Sequence, residues 1–347
     1  MRIIVTGGLG FIGSNLIRLL LAERPGWTIL NWDLITYAGN PDNLADLPQE
    51  QAQRHHHTRL DIADRDSVLK NLDACGPIDA ILHLAAESHV DRSISDPQIF
   101  LRTNILGTQI LLEAAQKHKI SRFVMVSTDE VYGSLGPLGA FTEQTPLSPR
   151  SPYSASKAAS DHLVMAWHHT YGLPTVITRC SNNYGPYQFP EKLIPLMILQ
   201  ARDHKPLPVY GDGLYVRDWL HVEDHCRGIL AALENGEPGE IYNFGCRNDR
   251  PNLEIVHEIL RLLDRPKDLI RHVQDRPGHD RRYAIDPTKA EEKLHWFPKI
   301  DFEKGLRETV EWYLNNSLWL ERITSGAYRE YHQSMYAARL DSAVGDE

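Results

Sequence analysis

Short apolar runs alternate with stretches of helical periodicity through the first half of the chain. Met1-Arg2-Ile3-Ile4-Val5-Thr6 is such a run, and it ends in Gly7-Gly8-Leu9-Gly10-Phe11-Ile12-Gly13. The pattern predicts a strand, a tight turn and the start of a helix. Leu16, Ile17, Leu19 and Leu20 carry that helix forward on one apolar face. A second run from Trp27 to Trp32 closes at Asp33, and further strand-like runs lie at Ile78 to Ala86, Arg122 to Thr128 and Pro174 to Arg179. Helical spacing fills the intervals over Thr103 to His118 and from Tyr153 onward. Such alternation predicts an α/β fold, a doubly wound parallel sheet of the Rossmann type with helices on both faces.

Beyond about residue 185 the elements shorten, and prolines fall at 186, 190, 195, 206 and 208 among loops rich in Gly and Asp. The change predicts a main domain over 1–185, a smaller lobe over 186–330 and a polar tail over 331–347. The smaller lobe is expected to be discontinuous in sequence, because Trp219 to Asp224 and Glu240 to Phe244 read as segments that return to the sheet. No repeat or low-complexity tract interrupts the pattern.

Composition narrows the partners. A chain of 347 residues is long enough for a substantial core and a second lobe. Lys and Arg number 37 against 46 Asp and Glu, a formal charge of −9, which offers no broad attraction for nucleic acid or an anionic membrane. Any phosphate on a ligand must therefore be met by local basic residues. Cys75, Cys180, Cys226 and Cys246 are widely separated and form neither a metal-ligand pattern nor a disulfide framework. The adjacent His55, His56 and His57 read as solvated surface, so no metal site is expected. A start directly on a strand, with no long apolar run, predicts a cytoplasmic enzyme without signal peptide or membrane span.

In sheets of this kind ligands bind beyond the carboxyl ends of the strands, which singles out Leu84 to Ser88, Ser127 to Tyr132 and Cys180 to Tyr187. The glycine turn suits a pyrophosphate, met by backbone N–H groups at a helix start. Asp33 stands about twenty residues further on, where an acid accepts ribose hydroxyls and repels the extra phosphate of NADP, favouring NAD. Tyr153 and Lys157 lie four apart on a helix starting after Pro152, so both project from one face. An ammonium beside the phenol is expected to lower its pKa and make Tyr153 a base for an alcohol undergoing hydride loss. Asp129 and Glu130, after Thr128, form a carboxylate pair that unlike environments can hold in opposite protonation states.

The glycine turn and Ser151-Pro152-Tyr153-Ser154-Ala155-Ser156-Lys157 resemble the extended short-chain dehydrogenase/reductase superfamily. Thr36-Tyr37-Ala38-Gly39-Asn40, Leu84 to Ser93, Ser127 to Gly133, Ser181 to Tyr187, Arg217-Asp218-Trp219 and Arg276 to Tyr283 narrow the likeness. From Gly7 to about Tyr328 the chain is similar to the dTDP-glucose 4,6-dehydratase family within that superfamily.

The resemblance implies NAD, kept bound and recycled in each turnover, dTDP-glucose as substrate, and a homodimer. It implies Tyr153, supported by Lys157 and Thr128, as base for the C4 hydroxyl, Glu130 as base at C5 and Asp129 as acid for the departing C6 hydroxyl. Its cofactor contacts map onto Gly7, Gly10, Phe11, Ile12, Gly13, Asp33, Leu34, Thr36, Asp61, Ile62, Leu84, Ala85, Ala86, Thr103, Tyr153, Lys157 and Asn183. Its substrate contacts map onto Ser88, Thr128, Asn182, Lys192, Leu193, Pro208, Val209, Tyr210, Arg217, Asn252, His279 and Tyr283. Leu34 departs from the family, which often has lysine after the ribose-binding aspartate. Alternative readings on the same scaffold are a CDP- or UDP-glucose 4,6-dehydratase, a nucleotide-sugar 4-epimerase, which has no need of Asp129 and Glu130, and a non-catalytic NAD-binding regulator.

Overall fold

The computed structural model describes residues 1–324, so the polar tail expected over 331–347 lies outside the described residues. In chain order the strands are β1 (Arg2–Thr6), β2 (Thr28–Asp33), β3 (His55–Arg59), β4 (Ala80–His83), β5 (Arg122–Thr128) and β6 (Thr175–Cys180), followed by β7 (Asn182–Tyr184), β8 (Leu207–Tyr210), β9 (Val216–His221), β10 (Ile241–Phe244), β11 (Asp249–Pro251) and β12 (Ile270–Val273). Seven of them form one sheet in the order β10-β6-β5-β4-β1-β2-β3, and every pairing in it is parallel. The order reverses between β1 and β4, which opens a crevice at their carboxyl ends.

Both faces of this sheet are buried, which is why its strands read as continuous apolar runs. Ile3, Val5, Val124 and Val126 pack on one face with Leu16 and Leu20 of the helix Phe11–Glu23 and Ile229 of the helix Val222–Asn235. Ile4, Phe123 and Met125 point the other way, onto Val68 and Leu111. A separate core lies in the C-terminal half, where Leu207 and Val209 meet Ile255, Leu306, Val310 and Trp319.

Three elements differ from expectation. Glu240 to Phe244 does supply a strand of the main sheet, β10, but Trp219 to His221 belongs to β9 in a small sheet of order β11-β9-β7. β9 runs parallel to β7, which follows β6 after one residue, so this segment joins a sheet separate from the main one. His55 to Arg59 forms the edge strand β3, on which His56 and His57 are exposed. The helix expected from Thr103 begins as early as Pro97 and passes through a wide π-type stretch at Leu101–Gly107 before the α-helix Thr108–Lys117. No helix among the described residues is long and apolar enough to cross a membrane.

Candidate active site

Gly7 leaves β1 with φ of 71°, which favours glycine, and a Cβ on it would lie 2.7 Å from the Ala85 backbone after β4. A Cβ on Gly13 would lie 2.1 Å from the Gly7 carbonyl. The turn is therefore closed tightly under the helix Phe11–Glu23, whose first N–H groups face the crevice. Asp33 ends β2 beside it. Its two oxygens accept hydrogen bonds from Leu9 N at 2.9 Å and Ile35 N at 2.8 Å. Burial raises the carboxyl pKa, and these two N–H groups oppose the rise.

One cleft runs along the carboxyl ends of the strands, and every residue assigned to the cofactor from the sequence lines it, from Gly7 to Asn183. Among the assigned substrate residues, Ser88, Thr128, Asn182 and Lys192 line the same cleft. Ser127 Oγ, Ser181 Oγ, Asn182 Oδ1 and Asp129 Oδ2 are buried along it with no hydrogen-bond partner among the described residues. Buried polar atoms left unpaired in one cleft fit a polar ligand that completes them. That arrangement, with the glycine turn and Asp33, suits a dinucleotide.

The catalytic candidates come from two elements. Ser151 and Ser154 cap the helix Pro152–Tyr171 reciprocally, Ser154 N donating to Ser151 Oγ at 3.1 Å and Ser151 N to Ser154 Oγ at 3.0 Å, with Pro152 in the first turn. The cap fixes where the helix begins, and so puts Tyr153 and Lys157 into the cleft. Lys157 is buried and donates from Nζ to the Val126 carbonyl at 2.9 Å. Burial pushes its pKa down to about 8, while the charge of Asp161 opposes the shift.

Tyr153 departs from expectation: burial first, then the charge of Glu130, hold its phenol well above the ordinary value, and a hydrogen bond with Thr128 only partly opposes them. Lys157 Nζ donates to the Val126 carbonyl, and no hydrogen bond from it to the phenol offsets the rise.

At the end of β5, Thr128 caps the short 3₁₀ turn Asp129–Tyr132, and Glu130 N donates to its Oγ1 at 3.3 Å. Asp129 is buried, and the Thr128 hydroxyl reaches its Oδ1 only at 3.4 Å. Burial, reinforced by the charge of Glu130, raises the Asp129 pKa well above the usual carboxylate range. Burial also raises that of Glu130, but Arg276, Lys192 and Arg217 draw it back. Burial thus raises both adjacent carboxyls, but three cations oppose the rise at Glu130 while the charge of Glu130 adds to it at Asp129, so the pair sits in unlike environments.

The remaining substrate candidates spread out. Arg217 lies 4.2 Å from the centroid of the Tyr283 ring and donates to the Asp280 carbonyl at 2.9 Å. The Tyr283 hydroxyl donates to Asp280 Oδ2 at 2.6 Å. Tyr210 OH donates to Asp91 Oδ2 at 2.8 Å, and His279 stacks on Tyr215 at 3.7 Å. Val209 is committed to the second core with Leu193 packed against it, Pro208 is its neighbour on β8, and Asn252 opens the helix Asn252–Leu262. None of these eight residues lines the main cleft.

Sequence reasoning left several residues unassigned. Arg276 pairs with Asp91 at 3.5 Å and acts electrostatically on Glu130. Glu87, Gln188, Phe189 and Glu191 line the cleft. Arg276 stood inside a quoted motif; Glu191 was marked only by its neighbour Lys192.

Fold and site together define a dinucleotide-dependent enzyme of the extended short-chain dehydrogenase/reductase class, with an acid–base pair added beside the Tyr153 and Lys157 dyad. The family model described as GDP-mannose 4,6 dehydratase matches residues 4–309. A dTDP-glucose 4,6-dehydratase from Salmonella typhimurium is 49% identical over 364 residues, covering 98% of this chain and 100% of its own. The crystal structure of the dTDP-glucose 4,6-dehydratase DesIV from Streptomyces venezuelae, with NAD bound, is 47% identical, covers 93% of this chain and 100% of its own, and superposes with a TM-score of 0.88. The scaffold extends further, to a UDP-glucose 4-epimerase from Thermus thermophilus with NAD, at 30% identity, 91% of this chain, 100% of its own and a TM-score of 0.84. The chain belongs to the dTDP-glucose 4,6-dehydratase family.

Proposed function

We propose that this chain converts dTDP-glucose to dTDP-4-keto-6-deoxyglucose and water, with NAD retained in the cleft. NAD, held in the cleft by the glycine turn and Asp33, would supply a hydride acceptor for C4 and a hydride donor for C6. Tyr153 takes the C4 hydroxyl proton, with Thr128 orienting the phenol. Lys157, held on the Val126 carbonyl, contributes the nearby positive charge. The 4-ketone acidifies C5–H. Glu130 removes that proton, and Asp129 protonates the C6 hydroxyl as water leaves. Glu130 then returns a proton to C5, and exchange with water restores the Tyr153 base and the Asp129 acid before the next turnover.

The observation that carries this reading is the unlike pair: Asp129 is buried with an unpartnered oxygen, whereas Glu130 faces three cations. An epimerase needs no such pair, and a regulator would need neither it nor the dyad. Lys192, Arg217 and Arg276 also supply the local positive charge that a nucleotide diphosphate requires in a chain of net charge −9.

Residues 1–185 serve in this proposal as the main cofactor domain, and 186–330 as the sugar-nucleotide lobe. The family resemblance supports a homodimer, and the four free cysteines suit the reducing cytoplasm. The test is dTDP-glucose carrying deuterium at C4, turned over in ordinary water. The label should appear at C6 of the product; label lost to solvent would contradict the internal hydride return.

A further inference from the structure

Two consecutive residues of the helix Val222–Asn235 touch separate walls of the cofactor cleft. Cys226 Sγ lies 3.7 Å from the Ile12 carbonyl in the glycine turn, and His225 Nδ1 lies 2.8 Å from Asn183 Oδ1. His225 is fully buried, and its Nε2 has no hydrogen-bond partner among the described residues. Burying an imidazole with one nitrogen unpaired is costly compared with an apolar ring. The contact the ring does make therefore needs an explanation beyond packing.

The hydrogen-bond roles follow from the partners. Asn183 Oδ1 can only accept, so the imidazole carries its proton on Nδ1 and donates it. On the other side of the amide, Asn183 Nδ2 donates to the Ser181 carbonyl at 2.9 Å. Turning the amide over would set its oxygen against the Ser181 carbonyl oxygen, so the contact at Ser181 fixes which way the amide faces. The other N–H of Asn183, on a residue that lines the cleft, meets only the thiol of Cys180, a weak acceptor that a stronger one can displace.

We propose that His225 is a positioning residue that locks the Asn183 amide with its remaining N–H presented to the cleft, as a donor to an acceptor atom of the bound dinucleotide. His225 touches no ligand itself and acts through Asn183. The inference rests on reading the cleft as the NAD site. Desolvation holds the ring neutral, with its pKa pushed down to about 3, so the lock needs no charge.

The test uses the purified holoenzyme and follows release of bound NAD by exchange with labelled NAD. His225→Leu should release NAD about tenfold faster, the worth of one hydrogen bond. His225→Asn, whose amide N–H can replace Nδ1–H, should restore slow release, whereas His225→Gln, with its donor displaced by one methylene, should not. Asn183→Ala should be fast, and adding His225→Leu to it should change nothing further. Thermal melting of the NAD-free forms reports folding, and if His225→Leu does not fold, the contrast between Asn and Gln decides. Wild-type release from His225→Leu, or from Gln where Leu does not fold, would overturn the lock, as would additive effects in the double variant. Wild-type release from Asn183→Ala would instead show that Asn183 does not contact NAD, and the proposal would fall with that reading.

Discussion

Asp129 and Glu130 share a backbone bond and differ in what surrounds them, and that difference assigns their roles. Asp129→Asn with Glu130→Gln should leave the first oxidation running and slow elimination by roughly 10²- to 10⁴-fold, the usual worth of general acid–base catalysis. Stopped-flow absorbance should then show reduced cofactor accumulating while no water is lost. Tyr153→Phe should slow the oxidation itself by a similar factor, so no reduced cofactor appears. Lys157 adds a pH dependence. Its ammonium is the charged form, so the oxidation rate should fall as pH rises through about 8. Asp161→Asn removes the anion opposing that shift and should move the alkaline limb to lower pH.

The Tyr153 and Lys157 dyad was legible because a spacing of four fixes a shared helix face. Its electrostatics were not, since the direction of the ammonium depends on Val126, far away in sequence.

Among the elements, the glycine turn is the least forgiving. Gly13→Ala would place a Cβ against the Gly7 carbonyl, an approach backbone atoms cannot relieve without opening the turn. Loss of bound NAD is expected, with destabilisation of about 1–3 kcal/mol measurable by denaturant titration. Ser151→Ala removes half of the reciprocal cap and should cost about 1 kcal/mol, with weaker effects on NAD than Gly13→Ala. The strands of the main sheet were legible wherever both faces are buried, because continuous apolar runs follow from that burial. β3 was not, because an edge strand written in histidines carries no apolar signal. Nor was the π-type stretch at Leu101–Gly107, since residue spacing does not tell a wide helical turn from an ordinary one. There Asn104 donates to the Glu87 carbonyl and to Ser156 Oγ, joining the loop after β4 to the catalytic helix.

Across the whole molecule, buried neutral histidines tie stability to pH. His83 sits between Thr6 Oγ1 and Thr108 Oγ1, and burial pushes its pKa down to about 3, as it does for His225. An unfolded chain binds these protons near pH 6.5 and the folded chain does not. Their contribution to stability is therefore complete above pH 6.5 and falls as pH drops toward 3. The loss amounts to about 1.4 kcal/mol per histidine per pH unit, and denaturant midpoints between pH 7 and 5 should show it.

At this scale the sequence was informative about the sheet and much less so about the second lobe, because the cations around Glu130 come from residues as distant as Arg276. The central claim is a dehydratase whose oxidation and reduction close on one retained cofactor. Purified protein incubated with dTDP-glucose and no added NAD, followed by mass spectrometry of the sugar nucleotide, tests it most directly. The expected result is loss of one water from each substrate molecule over many turnovers per chain; an unchanged mass, even after NAD is supplied, would contradict it.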